Sequence, residues 1–187
     1  MKKYIPNAIT ILGLMFGITS VYLLLNNYNL LSFFLVIIAI FCDLLDGYLA
    51  RRFSVVTKIG IWLDSLSDIF LYLLFPAAYW YLNSEVNIYI LTLLVIAGIL
   101  RLLRFSIIGI KKEKNKMYYE GMPVFYSQTF LAVTLLFDIP TNILSLVIII
   151  LSISMVTKLK FIKPSVKFFI STLIIYILII ALKFYGN

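Results

Sequence analysis

DLLDGYLARRFSVVTKIGIWLDSLSD, residues 43–68, carries Asp43, Asp46, Asp64 and Asp68, half of the eight acidic residues in the chain. These four stand within two segments that are otherwise apolar enough to enter a bilayer. An ionisable side chain at the centre of a membrane helix costs roughly 2.5–3.5 kcal/mol on insertion scales. Four in one stretch point to a function that needs them.

Composition sets the solvent. Of 187 residues, 63% are hydrophobic and 13% charged, with a mean hydropathy of +1.07. A soluble domain carries about 25% charged residues, so the expectation is one membrane-embedded domain, residues 1–187, all-α, built as a polytopic transmembrane bundle. The net charge of +8 resides in short loops between apolar runs. No nucleic-acid motif accompanies it, so no nucleic acid is expected as partner, and membrane lipids with anionic headgroups are. The chain has no histidine, which excludes His-based acid/base or metal chemistry and leaves Asp, Glu, Lys, Tyr or solvent for proton transfer. Cys42 is the lone cysteine; its neighbours offer no metal-ligand spacing, and it reads as helix packing.

Apolar runs and turn residues divide the chain into about seven helices, with six to eight possible. The first spans about Pro6–Leu25, the second runs from Leu30 to Arg51 and Arg52, the third from about Ile59 to Leu82 and the fourth from about Ile88 to Ile110. A polar loop, KKEKNKMYYEGMP, leads to a fifth segment ending near Phe137. A sixth covers about Ile143–Val156, and after TKLKFIKPS a seventh covers about Lys167–Leu182. With these crossings, Lys2 and Lys3, Arg51 to Lys58, Arg101 to Lys116 and Lys158 to Lys167 share one side, and only Lys183 lies opposite. The positive-inside rule then predicts a cytoplasmic N-terminus, with the aspartates at the cytoplasmic end of helices two and three.

Asp43, Asp46, Gly47 and Ala50 recur at i, i+3, i+4 and i+7, one face of the second helix; Gly60, Asp64 and Asp68 recur at i, i+4 and i+8, one face of the third. The short loop between them makes the helices antiparallel neighbours, able to turn both faces together. Four converging carboxylates require cations, and oxygen donors without His or Cys favour Mg²⁺, Mn²⁺ or Ca²⁺. Two metals about 3.5–4 Å apart are a familiar arrangement for displacement at phosphorus. Gly47 and Ala50 suit close ligand approach, and equally suit close helix packing.

The stretch is similar, position for position, to the CDP-alcohol phosphotransferase signature, D-x2-D-G-x2-A-R followed by G-x3-D-x3-D. The resemblance implies transfer at the cytoplasmic membrane face, where an alcohol attacks the lipid-side phosphorus of a CDP-linked lipid and CMP leaves. It implies Asp43, Asp46 and Asp64 as ligands of two divalent cations, and Asp68 as general base with a share in the metal site. Gly47 and Ala50 would border the cytidine, Gly60 would belong to the same nucleotide and pyrophosphate site, and Arg51 would meet phosphate.

Beyond the signature, YIPNAIT, DSLSD followed by Pro76, RLLRF, YEGMP and SMVTKLKF resemble the phosphatidylserine synthase branch in order and spacing. That branch implies L-serine as the acceptor, CDP-diacylglycerol or an archaeal CDP-lipid as the donor, and a homodimer in the cell membrane. Asn7 and Thr10 would contact the nucleotide; they also suit helix capping. Arg101 and Arg104 would meet the serine carboxylate or a phosphate, or snorkel to the interface. Glu120 would meet the serine ammonium or sit in a polar loop. Tyr72 and Leu73 depart from the branch, which carries Phe-Gly there. Glycerol 3-phosphate and inositol phosphate remain alternative acceptors, and a divalent-cation transporter is the non-enzyme alternative.

Overall fold

The computed structural model describes residues 4–55, 57–109, 111–113, 116–162 and 166–185. Lys2, Lys3, Lys114 and Lys163, which enter the charge count, and Ile110, the expected end of helix four, lie outside the described residues. Two compact units divide the chain, Met1–Ala78 and Tyr79–Asn187.

The first unit is built on helix α1, Ile5–Leu25. Pro6 opens it, where a missing N–H is harmless. Its buried residues are Pro6, Thr10, Gly13, Gly17, Ser20 and Leu24, a stripe of mostly small side chains spaced alternately by four and three. In a bilayer, where hydrophobicity does not drive helices together, small residues permit the close backbone approach that does. A Cβ at Gly13 would lie 3.0 Å from Cys42 Cβ, and one at Gly17 would lie 3.2 Å from Leu71 Cδ2. Cys42 is a packing residue of this contact. Asn27, in the turn that follows, adopts a φ of 64°, which asparagine tolerates.

Helix α2 spans Asn29–Arg52, and Arg51 and Arg52 in its last turn complement the negative end of the helix dipole. Helix α3 covers 58–84 in three parts: α-helical Lys58–Asp68, a wider turn Ile69–Leu74 with i→i+5 bonding, and α-helical Phe75–Ser84. Thr57 caps its start by accepting from Gly60 N at 2.9 Å. Pro76 explains the wide turn. It cannot donate to the carbonyl of Tyr72 and its ring crowds that carbonyl, so the preceding turn relaxes to the looser pattern, with Phe75 N donating to Phe70 O. Phe33 and Phe75 meet edge-to-face at 5.3 Å in the core, where both are fully buried.

In the second unit, α4 (Ile88–Ile108) packs on α6 (Thr141–Val156), and α5 (Phe125–Leu136) packs on α7 (Val166–Tyr185). Trp80, fully buried near the end of α3, donates to Thr134 Oγ1 at 3.1 Å, and Gln128 donates to the Tyr176 hydroxyl at 2.8 Å. Among the described residues, α1 to α4 each contain a segment long and apolar enough to cross a membrane. The protein is thus an integral membrane protein with an all-α bundle. Helices α5 and α6, at 12 and 16 residues, rise only about 18 and 24 Å.

The expected polar loops contain a small sheet instead. Strands β1 (Lys111–Glu113), β2 (Lys116–Glu120) and β3 (Lys160–Ile162) pair antiparallel in that order. Tyr119 pairs with Phe161, and their rings reach Phe105 and Tyr126. Lysine-rich strands of three to five residues carry too little period-2 signal to announce themselves, and the β2–β3 pairing joins segments far apart in sequence.

Two contacts finish the C-terminal end of α6, whose last carbonyls have no partner within the helix. The Arg104 guanidinium donates to the carbonyls of Met155 and Thr157 at 3.2 Å and to that of Val156. Gly121, at φ 81°, donates its N–H to Leu159 O, and a Cβ there would run into the carbonyl of Met155. Gly121→Ala is therefore expected to lose about 1–3 kcal/mol from backbone strain alone, read as a lowered thermal midpoint in detergent. Arg104→Gln should lose about 1.5–3 kcal/mol through the vacated charge-assisted bonds, and an unchanged midpoint would refute the capping role.

Candidate active site

The last three turns of α2 and the first three of α3 carry the motif, and the five-residue connection between them forces the chain to reverse. Spacing of three and four places Asp43 and Asp46 on one face of α2. Across from it, Asp64 completes a trio: one carboxylate oxygen from each of Asp43, Asp46 and Asp64 lies within 4.8 Å of the others. Asp68 follows Asp64 by one turn, immediately before the wide turn of α3, and stands outside this trio.

Two unit charges 4.8 Å apart repel by roughly 3 kcal/mol at an effective dielectric of about 20. The trio contains three such pairs. Arg51 attracts both Asp46 and Asp64, but one guanidinium cannot balance three carboxylates. Asp46 is 4% exposed, and its Oδ2 is buried with no hydrogen-bond partner. An orphaned buried oxygen normally costs about 1–3 kcal/mol, so it calls for a ligand. The donor set is hard oxygen alone, which fits Mg²⁺, Mn²⁺ or Ca²⁺ and disfavours softer metals.

The flanking residues are placed as follows. Thr10 is buried, donates to Pro6 O at 3.0 Å, and lies beside the Asp46 carboxylate. Arg51 folds back over Gly47, where a Cβ would lie 3.5 Å from the guanidinium. Ala50 is half-buried on the same stretch, and its carbonyl accepts from Val55 N at 3.0 Å. The Asn7 amide donates to the Thr57 hydroxyl at 3.2 Å, and a Cβ at Gly60 would lie 2.8 Å from Asn7 Oδ1. Asn7, Thr57 and Gly60 thus form one joint that pins the start of α3 to the start of α1. Among the described residues this gives Asn7 and Gly60 a structural task beside any ligand contact.

Sequence reasoning missed Thr57, the cap of α3, for which a Thr three residues before a helix glycine was the available signal. It singled out Tyr72 only as a departure from the branch and missed its partner: the Tyr72 hydroxyl donates to Asp43 Oδ2 at 2.9 Å. Tyr72 continues the Gly60, Asp64, Asp68 spacing by one more step of four, so the stripe itself pointed to it.

The residues expected to hold serine belong to the second unit. Arg101 is buried at 5% exposure, with its guanidinium over the rings of Phe105 at 5.1 Å and Tyr119 at 5.5 Å. Arg104 caps α6. Glu120 pairs with Lys111, whose hydrogen bond holds the Glu120 carboxyl below its usual range. A depressed folded value means this pairing supports the fold above the ordinary glutamate value of about 4.3 and is lost as pH falls through the folded value.

A profile of the CDP-alcohol phosphatidyltransferase family matches residues 3–184. A Methanocaldococcus jannaschii protein named CDP-diacylglycerol–serine O-phosphatidyltransferase is 34% identical over 109 residues, 57% of this chain and 51% of that protein. A Helicobacter pylori protein of the same name is 31% identical over 107 residues, 54% and 45% of the respective chains. A Bacillus subtilis protein of the same name is 30% identical over 165 residues, 85% and 90%. The chain spans about half the length of the first two relatives and most of the third. The match from residue 3 to residue 184 covers both compact units, including the helix pair that gathers the aspartates, and the chain belongs to the CDP-alcohol phosphatidyltransferase family.

Proposed function

We propose that this protein transfers a phosphatidyl group from a CDP-linked lipid to the hydroxyl of L-serine, releasing CMP, in phospholipid synthesis. The single observation that carries the reading is the trio of Asp43, Asp46 and Asp64 oxygens within 4.8 Å, held by the two halves of the family motif. The names of the relatives in two bacterial species and one archaeon support serine as acceptor. Residues 1–187 act as one membrane-embedded catalytic domain.

In this reading Asp43, Asp46 and Asp64, with a share from Asp68, hold two divalent cations, Mg²⁺ or Mn²⁺. Bound there, the cations supply neutralisation of the pyrophosphate charge that grows on the departing CMP. Asp68 takes the proton of the serine hydroxyl as its oxygen bonds to the lipid-side phosphorus and the bond from that phosphorus to CMP breaks. Arg51 offers charge-assisted hydrogen bonds to phosphate. Thr10, Gly47 and Ala50 line the nucleotide side, where small or short side chains leave room for a ligand. The excess of Lys and Arg on one side of the expected crossings supports a cytoplasmic N-terminus and a site at the cytoplasmic face of the cell membrane. The family resemblance supports a homodimer.

The test is CMP release from a CDP-lipid by the purified protein with Mn²⁺ and serine, glycerol 3-phosphate or inositol phosphate. Release with serine alone, abolished by EDTA and restored by Mn²⁺ or Mg²⁺, is expected. Release only with a phosphorylated alcohol would overturn serine as acceptor. Asp68→Asn should cut turnover by at least about 100-fold, within the range general-base catalysis contributes, with CDP-lipid binding retained; full turnover would remove Asp68 from the base role.

A further inference from the structure

Tyr72 is 6% exposed, between the fully buried Leu71 and Leu73. A phenol in such surroundings needs a partner, because a buried hydroxyl left unsatisfied costs about 1–3 kcal/mol. The partner is the carboxylate of Asp43 on α2, at 2.9 Å. Hydrogen bonds to an ionised acceptor are about twice as strong as neutral ones, so this bond fixes the rotation of the Asp43 carboxylate.

The two aspartates of α2 are therefore treated differently. Asp43 Oδ2 is held by a donor from the neighbouring helix, while Asp46 Oδ2 is buried with none. The donor on Asp43 is neutral. A lysine or arginine in its place would orient the carboxylate equally well but would compete with a cation for the charge. A phenol orients it and leaves its charge available. The wide turn Ile69–Leu74 contains Tyr72 and sets where this stretch of α3 directs its side chains.

We propose that Tyr72 is a positioning residue of the metal site, whose hydroxyl pre-orients Asp43 for a divalent cation. The inference rests on the reading of Asp43, Asp46 and Asp64 as metal ligands. Carboxylate ligands depend on outer partners of this kind, and losing one typically lowers metal affinity by about 10–100-fold.

The test uses full-length protein in detergent without substrate, with bound and free Mn²⁺ distinguished by electron paramagnetic resonance. Tyr72→Phe keeps the ring and removes the hydroxyl; its Mn²⁺ affinity should fall by about 10–100-fold. Tyr176→Phe removes a comparably buried hydroxyl that bonds Gln128 and should bind Mn²⁺ as the unmodified protein does. Asp43→Asn should lose most of the binding. The thermal midpoint in EDTA separates orientation from folding: Tyr72→Phe should fall no further than Tyr176→Phe. Unchanged Mn²⁺ affinity in Tyr72→Phe, or a loss that only tracks the folded fraction, overturns the proposal. Absence of Mn²⁺ binding by the unmodified protein, or binding indifferent to Asp43→Asn, fails in a different place: it overturns the metal reading and the role of Tyr72 with it.

Discussion

Mutual repulsion among Asp43, Asp46 and Asp64 is the constraint on which the first unit turns. Carboxylates this close would rotate or drift apart if their helices could yield, and each pair pushes with roughly 3 kcal/mol. The surroundings resist that push at several points. Gly13 and Gly17 let α1 lie close against α2 and α3, so the helices bearing the charges are backed by a third. The Asn7–Thr57–Gly60 joint secures the start of α3, only a turn before Asp64. The bond from Tyr72 crosses from α3 to Asp43 and ties the two charged faces together. What packing does not relieve is the net charge itself, which a bound cation or a proton shared among the carboxylates would relieve.

Pro76 has a consequence for this arrangement that its position alone conceals. An unbroken α-helix through residue 76 would leave the Tyr72 carbonyl crowded and without its usual donor. Widening one turn accommodates the proline and alters the angular spacing of every side chain beyond Asp68. Asp68 and Tyr72 thus lie at and just beyond a change of helical pitch, where their directions depend on the irregular turn as well as on the count of four.

The second unit applies its polar groups differently. Arg104 satisfies the open carbonyls of α6, and Glu120 answers Lys111 across the small sheet. Arg101 lies buried against two aromatic rings. Arg101 and Arg104 are close in sequence and on one helix, yet one meets ring faces and the other meets a helix terminus. Any account of acceptor recognition has to begin from those engagements rather than from three equivalent polar side chains.

The sequence by itself determined the solvent, the helical class, the helix pair and the four candidate aspartates, because each is encoded locally; that Asp43, Asp46 and Asp64 form the close trio, with Asp68 outside it, was decided by the packed helices. Hydropathy over some twenty residues reports the bilayer, spacing of three and four reports a helix face, and a short connection reports an antiparallel pair. Tertiary structure alone decided that Tyr72 bonds Asp43, that Asn7 and Gly60 share a joint with Thr57, that Arg104 closes α6, and that two lysine-rich loops pair as a sheet. Those outcomes depend on which side chains meet across 29, 50 or 53 residues of chain. Residue type and spacing say what a group can donate or accept; only the packed helices say which partner comes within hydrogen-bonding distance.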